Sequence, residues 1–247
     1  MEYLFWYKRW PDFYLSTFFY HYPCFFAVFQ VQLQAFMNLF DLHSHLLFDV
    51  DHGVQDRNLY RALLLEYRKY GIRTLVLTPH LFHPSVKTKV ENIRNNFRLA
   101  SEDASRVGIR TILGAELYLG SQLDVKTIPI AGRYALVEFP VSSKPIGLDR
   151  KLQQILDQGL EPVIAHVERY PWLKPQDQTF RMFKDMGAWI QVNVSGIENR
   201  TAMPYIQRDL VDIIADDNHG DRSLPRKLRA CLDAYPEICA RMESMAL

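Results

Sequence analysis

The chain has 247 residues, three cysteines and a formal net charge of +1. This length suits one α/β domain that buries a sizeable core. Basic residues are scattered rather than clustered, so the charge pattern argues against a nucleic-acid partner. Three cysteines without CxxC spacing exclude a disulfide framework and a zinc finger, and they favour a reducing, cytoplasmic compartment.

Residues 1–36 differ from the rest, because they hold nearly half of the aromatic residues and no charged residue occurs from Phe13 to Phe40. Three interpretations are open: a signal peptide or membrane anchor, a membrane-surface or partner-binding tail, and a non-native extension before a working start at Met37. We favour the extension, since a large exposed aromatic segment would promote aggregation. The functional domain is then predicted to span 37–247.

From Met37 onward, short apolar runs alternate with amphipathic segments in about seven strand–helix units. Strands are predicted at Leu39–His43, Arg73–Leu77, Arg110–Leu113, Tyr134–Phe139, Pro162–Ala165, Trp189–Val194 and Val211–Ala215. Helices are predicted at Asp56–Tyr70 (capped by Asp56), Val86–Val107, Leu148–Gln158, Thr179–Met186 and Leu224–Met245. This alternation indicates a parallel sheet, in either a barrel or a doubly wound arrangement.

A histidine or a carboxylate follows nearly every predicted strand. His43 and His45 are two residues apart on an extended segment, so their side chains share one face, and Asp217 and His219 repeat this spacing. Each residue alone has an ordinary explanation, such as a rim salt bridge for Glu138. Together they favour divalent cations, because imidazole and carboxylate are common metal ligands and the carboxyl ends of parallel strands converge.

Several stretches carry a family resemblance, among them DLHSHLLFDVDHG, GIRTLVLTPH, GAELYL, RYALVEF, EPVIAHVERY, MGAWIQVN and DLVDIIADDNH. In this order and spacing, from about Met37 to Pro225, the chain resembles the polymerase-and-histidinol-phosphatase (PHP) domain. It is most similar to metal-dependent bacterial tyrosine phosphatases encoded beside capsule and exopolysaccharide genes (the CpsB/YwqE type). The resemblance implies an α/β fold, a distorted (β/α)7 TIM-like barrel of the PHP superfamily. It also implies three divalent metal ions, Mn²⁺ foremost, with iron or zinc as alternatives.

The resemblance also implies which residues bind the ions. One ion would be bound by His43 and His45 with Glu116 and Asp217, and Glu116 would bridge to a second. The full set of implied metal ligands is His43, His45, His52, His80, Glu116, Glu138, His166, Asp217 and His219. Of these, Glu138 and His166 would complete the second site, and His52, His80 and His219 would bind the third ion.

The implied catalytic residues are Arg169, Asp217, His219 and Arg222, of which Arg169 and Arg222 would bind the substrate phosphate. The chain departs from the family pattern at His52, where aspartate is usual. The substitution leaves the site one negative charge poorer and favours zinc or iron more than the usual ligand set does.

The implied function is hydrolysis of a phosphomonoester without a cysteine nucleophile. A covalent cysteine mechanism requires arginine six residues after the cysteine, and Gln30, Glu237 and Met245 occupy those positions here.

The implied substrate is the phosphotyrosine tail of a bacterial tyrosine kinase that regulates capsular or exopolysaccharide synthesis. Alternatives are a small-molecule phosphatase of the histidinol-phosphatase kind and a weakly catalytic kinase-binding regulator. Membrane contact is expected only through the kinase or through residues 1–36, and the sequence predicts no particular oligomeric state.

Overall fold

The structure, a computed structural model, describes residues 39–121 and 125–247. The predictions for residues 1–36 and for a start at Met37 lie outside the described residues. The strands are β1 (Phe40–Ser44), β2 (Thr74–Leu77), β3 (His80–Leu81), β4 (Arg110–Leu113), β5 (Glu116–Tyr118), β6 (Tyr134–Glu138), β7 (Glu161–Ile164), β8 (Trp189–Asn193) and β9 (Ile213–Ala215). All pairings between these strands are parallel, which confirms the predicted parallel α/β class.

Helices alternate with most of the strands. They are α1 (Arg57–Lys69), α2 (Val90–Arg106), α3 (Leu148–Asp157), α4 (Gln178–Asp185), α5 (Val194–Glu198), α6 (Met203–Ile206), α7 (Leu224–Ala234) and α8 (Pro236–Glu243), with a 3₁₀ turn at Val167–Arg169. Across residues 39–121 and 125–247, each helix is too short or too polar to span a lipid bilayer.

The strands form a continuous series of hydrogen-bonded neighbours. One sheet has the order β1-β2-β4 and the other the order β3-β5-β6-β7-β8-β9. Only two residues separate β2 from β3 and β4 from β5, so the chain passes directly from one sheet into the other. Beyond β9, the backbone N–H of Asp217 donates to the carbonyl of His43 (3.0 Å), and that of His45 donates to the carbonyl of Asn218 (2.9 Å). The last strand therefore adjoins the first, and the carboxyl ends of the strands face one rim.

Burial explains why the apolar runs become strands. Every side chain of β2 and of β6 is buried, as expected for parallel strands whose two faces are both covered. Helix α1 buries Tyr60, Leu63, Leu64 and Tyr67, which recur at helical spacing on one face. The predicted cap is confirmed, since the Asp56 side chain accepts hydrogen bonds from the second and third residues of α1.

Two predicted helices differ from the observed ones. The helix predicted to begin at Val86 begins at Val90, because the preceding residues bond to other elements. The Lys89 N–H donates to the Val50 carbonyl (2.7 Å), and the Thr88 hydroxyl donates to the His80 carbonyl (2.7 Å).

The single helix predicted at Leu224–Met245 is two helices. Helix α7 ends at Ala234 and α8 begins at Pro236, with Tyr235 between them. A proline ring clashes with the preceding turn and lacks the N–H that would continue the hydrogen-bond ladder, so the chain restarts at Pro236.

We expect Asp56→Ala to lower the free energy of unfolding by about 1 kcal/mol, because it removes the side-chain acceptor at the start of α1. Guanidinium unfolding followed by circular dichroism measures the change. Asp56→Asn retains an acceptor and should keep most of the stability. Equal losses in the two variants would contradict a capping role.

Candidate metal centre

The nine predicted ligands all lie at the rim formed by the carboxyl ends of the strands. The short strands β3 and β5 belong to this rim because they directly continue β2 and β4. His43 lies within β1 and His45 follows it, while β3 and β5 begin with His80 and Glu116, and β6 ends with Glu138. The remaining four lie in the loop after β1 and directly after β7 and β9: His52, His166, Asp217 and His219. Most of these side chains are buried, whereas His52 is exposed and His219 is partly exposed.

Four side chains converge at the centre of the rim. His43 Nε2 lies 3.3 Å from His45 Nε2 and 3.3 Å from Glu116 Oε1. His45 Nε2 lies 3.2 Å from Glu116 Oε2, and both Nε2 atoms lie 3.4 Å from Asp217 Oδ1. Ligand atoms that are each about 2.1 Å from one ion lie about 3 Å or slightly more from each other. The spacing of these atoms therefore fits the ligand shell of one metal ion.

The outer nitrogens of the two imidazoles determine where the ring protons lie. His45 Nδ1 is 2.8 Å from Asp51 Oδ2, a carboxylate oxygen that accepts its proton. His43 Nδ1 is 3.2 Å from Gln191 Oε1, which also accepts the backbone N–H of His166 (3.0 Å) and is thereby identified as the amide oxygen. Both neutral rings thus carry the proton on Nδ1, and their Nε2 lone pairs face each other and the carboxylates. Positive charge is required between them, from protons in the metal-free protein or from a metal ion.

A second group surrounds Glu116. Its Oε1 lies 2.9 Å from His166 Nε2, and its Oε2 lies 3.0 Å from His80 Nδ1. Glu138 approaches the same two imidazoles, with its Oε2 3.6 Å from His80 Nδ1 and its Oε1 3.8 Å from His166 Nε2. The bridging position predicted for Glu116 is therefore geometrically available, since its two oxygens face different histidines.

A third group lies toward the opening of the rim. The His52 ring lies 5.0 Å from the His80 ring and 4.5 Å from the His219 ring, measured between centroids. Ligand atoms of His45, His80 and His219 lie within 4.8 Å of one another, as do those of Asp51, His52 and His80. The three residues predicted for the third ion thus lie together, and Asp51 joins them.

Several ligand-type atoms in these groups are buried without a hydrogen-bond partner. Those directed toward the cluster are Glu138 Oε2 and His219 Nε2. Burying an unpartnered polar atom is costly, so such atoms commonly mark the position of a missing ligand. Their chemistry, imidazole nitrogen and carboxylate oxygen, fits divalent transition metals.

The carboxylates of the cluster have opposite pKa shifts. Burial raises the pKa of Glu138 to about 8, and the negative charge of Glu116 acts in the same direction. Burial alone would raise the pKa of Glu116 and of Asp217, but the surrounding histidines, His43 first among them, together lower the pKa of both carboxyls well below the ordinary values. In turn, burial acts against a charge on His43, whereas Glu116 and Asp217 raise its pKa above the ordinary value. The metal-free cluster therefore retains protons that an ion would displace.

The two predicted phosphate-binding arginines lie in different places. Arg169 Nη1 is 3.0 Å from Asp217 Oδ2, and its side chain is half exposed at the edge of the cluster. Arg222 Nη2 is 3.1 Å from Glu66 Oε1, and its side chain is 60% exposed. The structure brings Arg169 to the cluster and pairs Arg222 with a residue of α1, so a phosphate-binding role for Arg222 stays a prediction.

Two polar residues of β8 support the cluster and were absent from the predicted site. Gln191 Nε2 donates to Asn193 Oδ1 (2.6 Å), and Asn193 Nδ2 donates to Asp217 Oδ2 (2.9 Å). Gln191 also accepts from His43, so this pair connects ligands from β1 and β9. The signal was present in the sequence, because both are polar residues within an otherwise apolar strand and buried polar groups require partners.

The loop between β1 and α1 holds His45 by close contact. A Cβ atom added at Gly53 would lie 2.1 Å from the carbonyl oxygen of His45 and 2.6 Å from its Cβ atom. Only glycine therefore fits without displacing His45. The Gly53 N–H in turn donates to Asp51 Oδ1 (2.9 Å), which fixes the carboxylate that orients the imidazole.

Comparison with known proteins identifies the family of this chain. Residues 39–241 match the model of a protein family described as "Capsular polysaccharide synthesis, CpsB/CapC". The chain belongs to the CpsB/CapC family. Over 215 residues it is 34% identical to the tyrosine-protein phosphatase CpsB of Streptococcus pneumoniae. This alignment covers 79% of this chain and 88% of that relative. It is 24% identical to the tyrosine-protein phosphatase YwqE of Bacillus subtilis (strain 168), in an alignment that covers 74% of this chain and 78% of that relative.

A solved structure shares the fold of this CpsB/CapC family member. It is described as one of the crystal structures of YwqE from Bacillus subtilis and CpsB from Streptococcus pneumoniae, unique metal-dependent tyrosine phosphatases. The TM-score is 0.65 at 18% sequence identity, and the match covers 82% of this chain and 94% of that chain. At this identity the likeness establishes the fold alone.

In this CpsB/CapC family member, we expect Gln191→Leu to weaken Mn²⁺ binding by about 10- to 100-fold, the usual effect of losing a residue that orients metal ligands. The variant removes the acceptor for the His43 ring proton and for the His166 N–H. Competition with a fluorescent chelator measures the affinity. Gln153→Leu, on the exposed face of α3, is the matched control. Unchanged affinity in a folded Gln191→Leu protein would contradict this role.

We also expect metal binding to release protons and to strengthen as the pH rises toward about 8. Below the raised pKa of Glu138, the metal-free carboxyl is protonated and must ionise before it binds an ion, so each pH unit adds about tenfold to the affinity per proton released. Calorimetry at pH 7 in buffers of different ionisation enthalpy counts the protons. His43 releases protons as well, so Glu138→Gln should release about one fewer than the wild type. Equal counts would contradict the assignment.

Proposed function

We propose that this chain is a metal-dependent protein-tyrosine phosphatase. The observation that carries the proposal is the convergence of the His43 and His45 lone pairs on the carboxylates of Glu116 and Asp217, beside the half-exposed guanidinium of Arg169. The names of the relatives support the reaction and its substrate class. The geometry supplies the two requirements of phosphoester hydrolysis, a cation-binding cluster and a basic group at its edge.

We propose that the ring of strands is the distorted (β/α)7 barrel of the PHP superfamily. The support is the hydrogen bonding that continues from β1 through both sheets to β9 and returns to β1. The β2–β3 and β4–β5 pairs each count as one interrupted strand, which reduces nine strands to seven. An eight-stranded barrel would need one further strand in this ring.

We propose three divalent ions, Mn²⁺ first, bound by the nine residues predicted as ligands. The three groups of ligand atoms described above support this number. His52 in a position where a carboxylate is usual favours iron or zinc as alternatives, because imidazole is a softer ligand than carboxylate. Bound there, the ions would supply positive charge to the phosphate oxygens and lower the pKa of water that attacks phosphorus.

The residues of the chain would divide the remaining work. Arg169 would hold the phosphate through its guanidinium, which can donate two parallel hydrogen bonds to phosphate oxygens. Asp217 orients that guanidinium at 3.0 Å. A tyrosine phenolate, with a pKa of about 10, leaves with less help from an acid than an alkoxide needs.

The charge states of Asp217 and His219 favour ligand roles over proton donation. Burial alone would raise the pKa of Asp217, but His43 and His45 together lower it well below its ordinary value. Burial, followed by the charge of His45, lowers the pKa of His219 to about 4. At neutral pH Asp217 is therefore ionised and His219 is neutral, and the Nε2 lone pair of His219 is available to an ion.

The described cysteines do not supply a nucleophile. Cys231 and Cys239 are buried in α7 and α8, and burial raises the pKa of each thiol to about 11. Thiolate is therefore scarce at neutral pH. We propose instead that the enzyme, in the cytoplasm, acts on the phosphotyrosine tail of a tyrosine kinase that regulates capsular or exopolysaccharide synthesis. The family description supports the capsule link.

We expect metal-stripped protein to be inactive toward para-nitrophenyl phosphate and phosphotyrosine peptides, and Mn²⁺, Fe²⁺ or Zn²⁺ to restore activity. His43→Ala should lower kcat/KM by more than about 100-fold, because the four-atom cluster loses one ligand. Arg169→Lys should raise KM, since lysine keeps the charge but loses the paired hydrogen bonds. Steady-state assays in the presence of iodoacetamide should show no thiol dependence.

Arg133→Lys is the matched control for Arg169→Lys, because Arg133 is near the amino end of β6 and pairs with Glu161 on the opposite rim. Preference for histidinol phosphate over phosphotyrosine would indicate a small-molecule phosphatase. Binding of metal and kinase tail without turnover would indicate a regulator.

A further inference from the structure

Phe82 is an exposed aromatic residue in an unfavourable backbone conformation beside the metal centre. It follows β3 directly, its side chain is 62% exposed, and its φ angle is +61°. Bulky residues rarely adopt positive φ, and where they do so the strain commonly marks a functional site. The fold therefore holds an apolar ring in water two residues after the metal-ligand candidate His80.

Phe82 forms one wall of a cavity of about 750 Å³. The segment between β6 and α3, where Ile146 is 95% exposed, also lines this cavity. Its lining includes Phe82, Tyr118, Pro140, Lys144, Ile146 and Lys151. This volume exceeds what one phenyl phosphate needs and suits several residues of an extended peptide. We call this cavity the β5–β6 groove.

The β5–β6 groove begins where the metal centre ends. Tyr118 and Pro140 lie two residues beyond the metal-ligand candidates Glu116 and Glu138, which corresponds to about 7 Å along a strand. The His83 ring bridges the two regions, with its centroid 4.8 Å from that of Tyr118 and its Nε2 3.8 Å from Glu138 Oε2. A phosphotyrosine with its phosphate at the cluster would therefore direct its neighbouring residues into the groove.

The charge of the groove selects among peptides. Among the described residues that line it, the charged ones are Lys144 and Lys151, and none is a carboxylate. The Lys144 ammonium donates to the neutral hydroxyl of Thr179 (2.8 Å), and Asp149 shares with Lys144 the lining of an adjoining cavity but not that of the groove. Acidic side chains complement such a surface and basic ones are repelled by it.

We propose that the β5–β6 groove binds the polypeptide beside the phosphotyrosine, with Phe82 packing on an apolar or aromatic side chain and Lys144 pairing with an acidic one. This inference rests on the proposed phosphatase function and names the feature of the substrate that the enzyme selects. The enzyme then distinguishes acidic phosphotyrosine segments from small phosphate esters by contacts made outside the metal centre.

The test compares three substrates: para-nitrophenyl phosphate, a phosphotyrosine peptide with acidic neighbours, and the same peptide with lysine neighbours. We expect the wild type to favour the acidic over the basic peptide by about tenfold or more in kcat/KM, and Lys144→Glu to remove or reverse this preference. Phe82→Gly, which tolerates the positive φ, should lower the ratio of peptide to para-nitrophenyl phosphate kcat/KM by about tenfold.

Two variants on α1 serve as matched controls, because this helix leads into the amino end of β2 on the opposite rim. Leu65→Ala replaces an apolar side chain that is 58% exposed, and Lys69→Glu reverses a charge on a side chain that is 64% exposed. Neither should change the substrate ratios. If Phe82→Gly or Lys144→Glu affected all substrates equally, or none, the docking role would be overturned.

A binding measurement separates failure of the groove from failure of the proposed function. Peptides carrying a non-hydrolysable phosphonate in place of the phosphotyrosine are titrated into metal-loaded protein and followed by fluorescence anisotropy. Turnover of para-nitrophenyl phosphate without discrimination between acidic and basic peptides would overturn the groove and leave the phosphatase standing. Selective binding of the acidic peptide without turnover by any metal form would overturn the proposed phosphatase function and leave the peptide-binding role of the groove standing.

Discussion

The Nε2 atoms of His43 and His45 face each other across 3.3 Å, and most of the site depends on this arrangement. Asp51 and Gln191 fix the outer nitrogens of these rings, which leaves the inner nitrogens directed at Glu116 and Asp217. Electron-rich atoms held this closely repel one another unless positive charge lies between them. The surrounding structure is thus organised to maintain a local arrangement that only a cation fully stabilises.

The fold and the site share the same hydrogen bonds. The contacts that join the end of the strand series to its beginning run from the Asp217 N–H to His43 and from the His45 N–H to Asn218, so the ligand residues themselves complete the ring. Asp217 has a φ of +51° and His166 a φ of +33°, values that are unfavourable outside glycine. The fold holds these two ligand candidates in strained backbone conformations, which bound metal ions would help to stabilise. Loss of metal should therefore loosen the junction of β9 with β1 before the buried strands.

Much of this arrangement could be predicted, because its causes are local in the sequence. Alternating apolar runs and amphipathic segments predicted most of the strands and helices, and a histidine or carboxylate after a strand indicated the rim. The remainder depends on contacts between distant segments. Lys89 bonds to Val50 and delays α2, Glu66 draws Arg222 away from the cluster, and the two-residue strand β3 is too short to show a pattern. Gln191 and Asn193 are conspicuous as polar residues in an apolar strand, but only the folded chain shows that they connect His43 to Asp217.

The exposed His52 affects the net charge of the cluster and therefore how strongly the cluster would bind phosphate. A neutral imidazole in place of a carboxylate leaves one negative charge fewer among the ligands, so bound ions would retain more positive charge at the open edge of the centre. That excess would favour binding of a phosphate dianion and would lower the pKa of water further, but it would also hold the product phosphate more tightly. Asp217 reduces this excess positive charge beside Arg169, because its carboxylate pairs with the Arg169 guanidinium and partly neutralises it. On the proposed ligand assignment, the balance between turnover and product release would be set at the rim, where His52 and Arg169 meet solvent, and the buried side chains would set how firmly the ions are held.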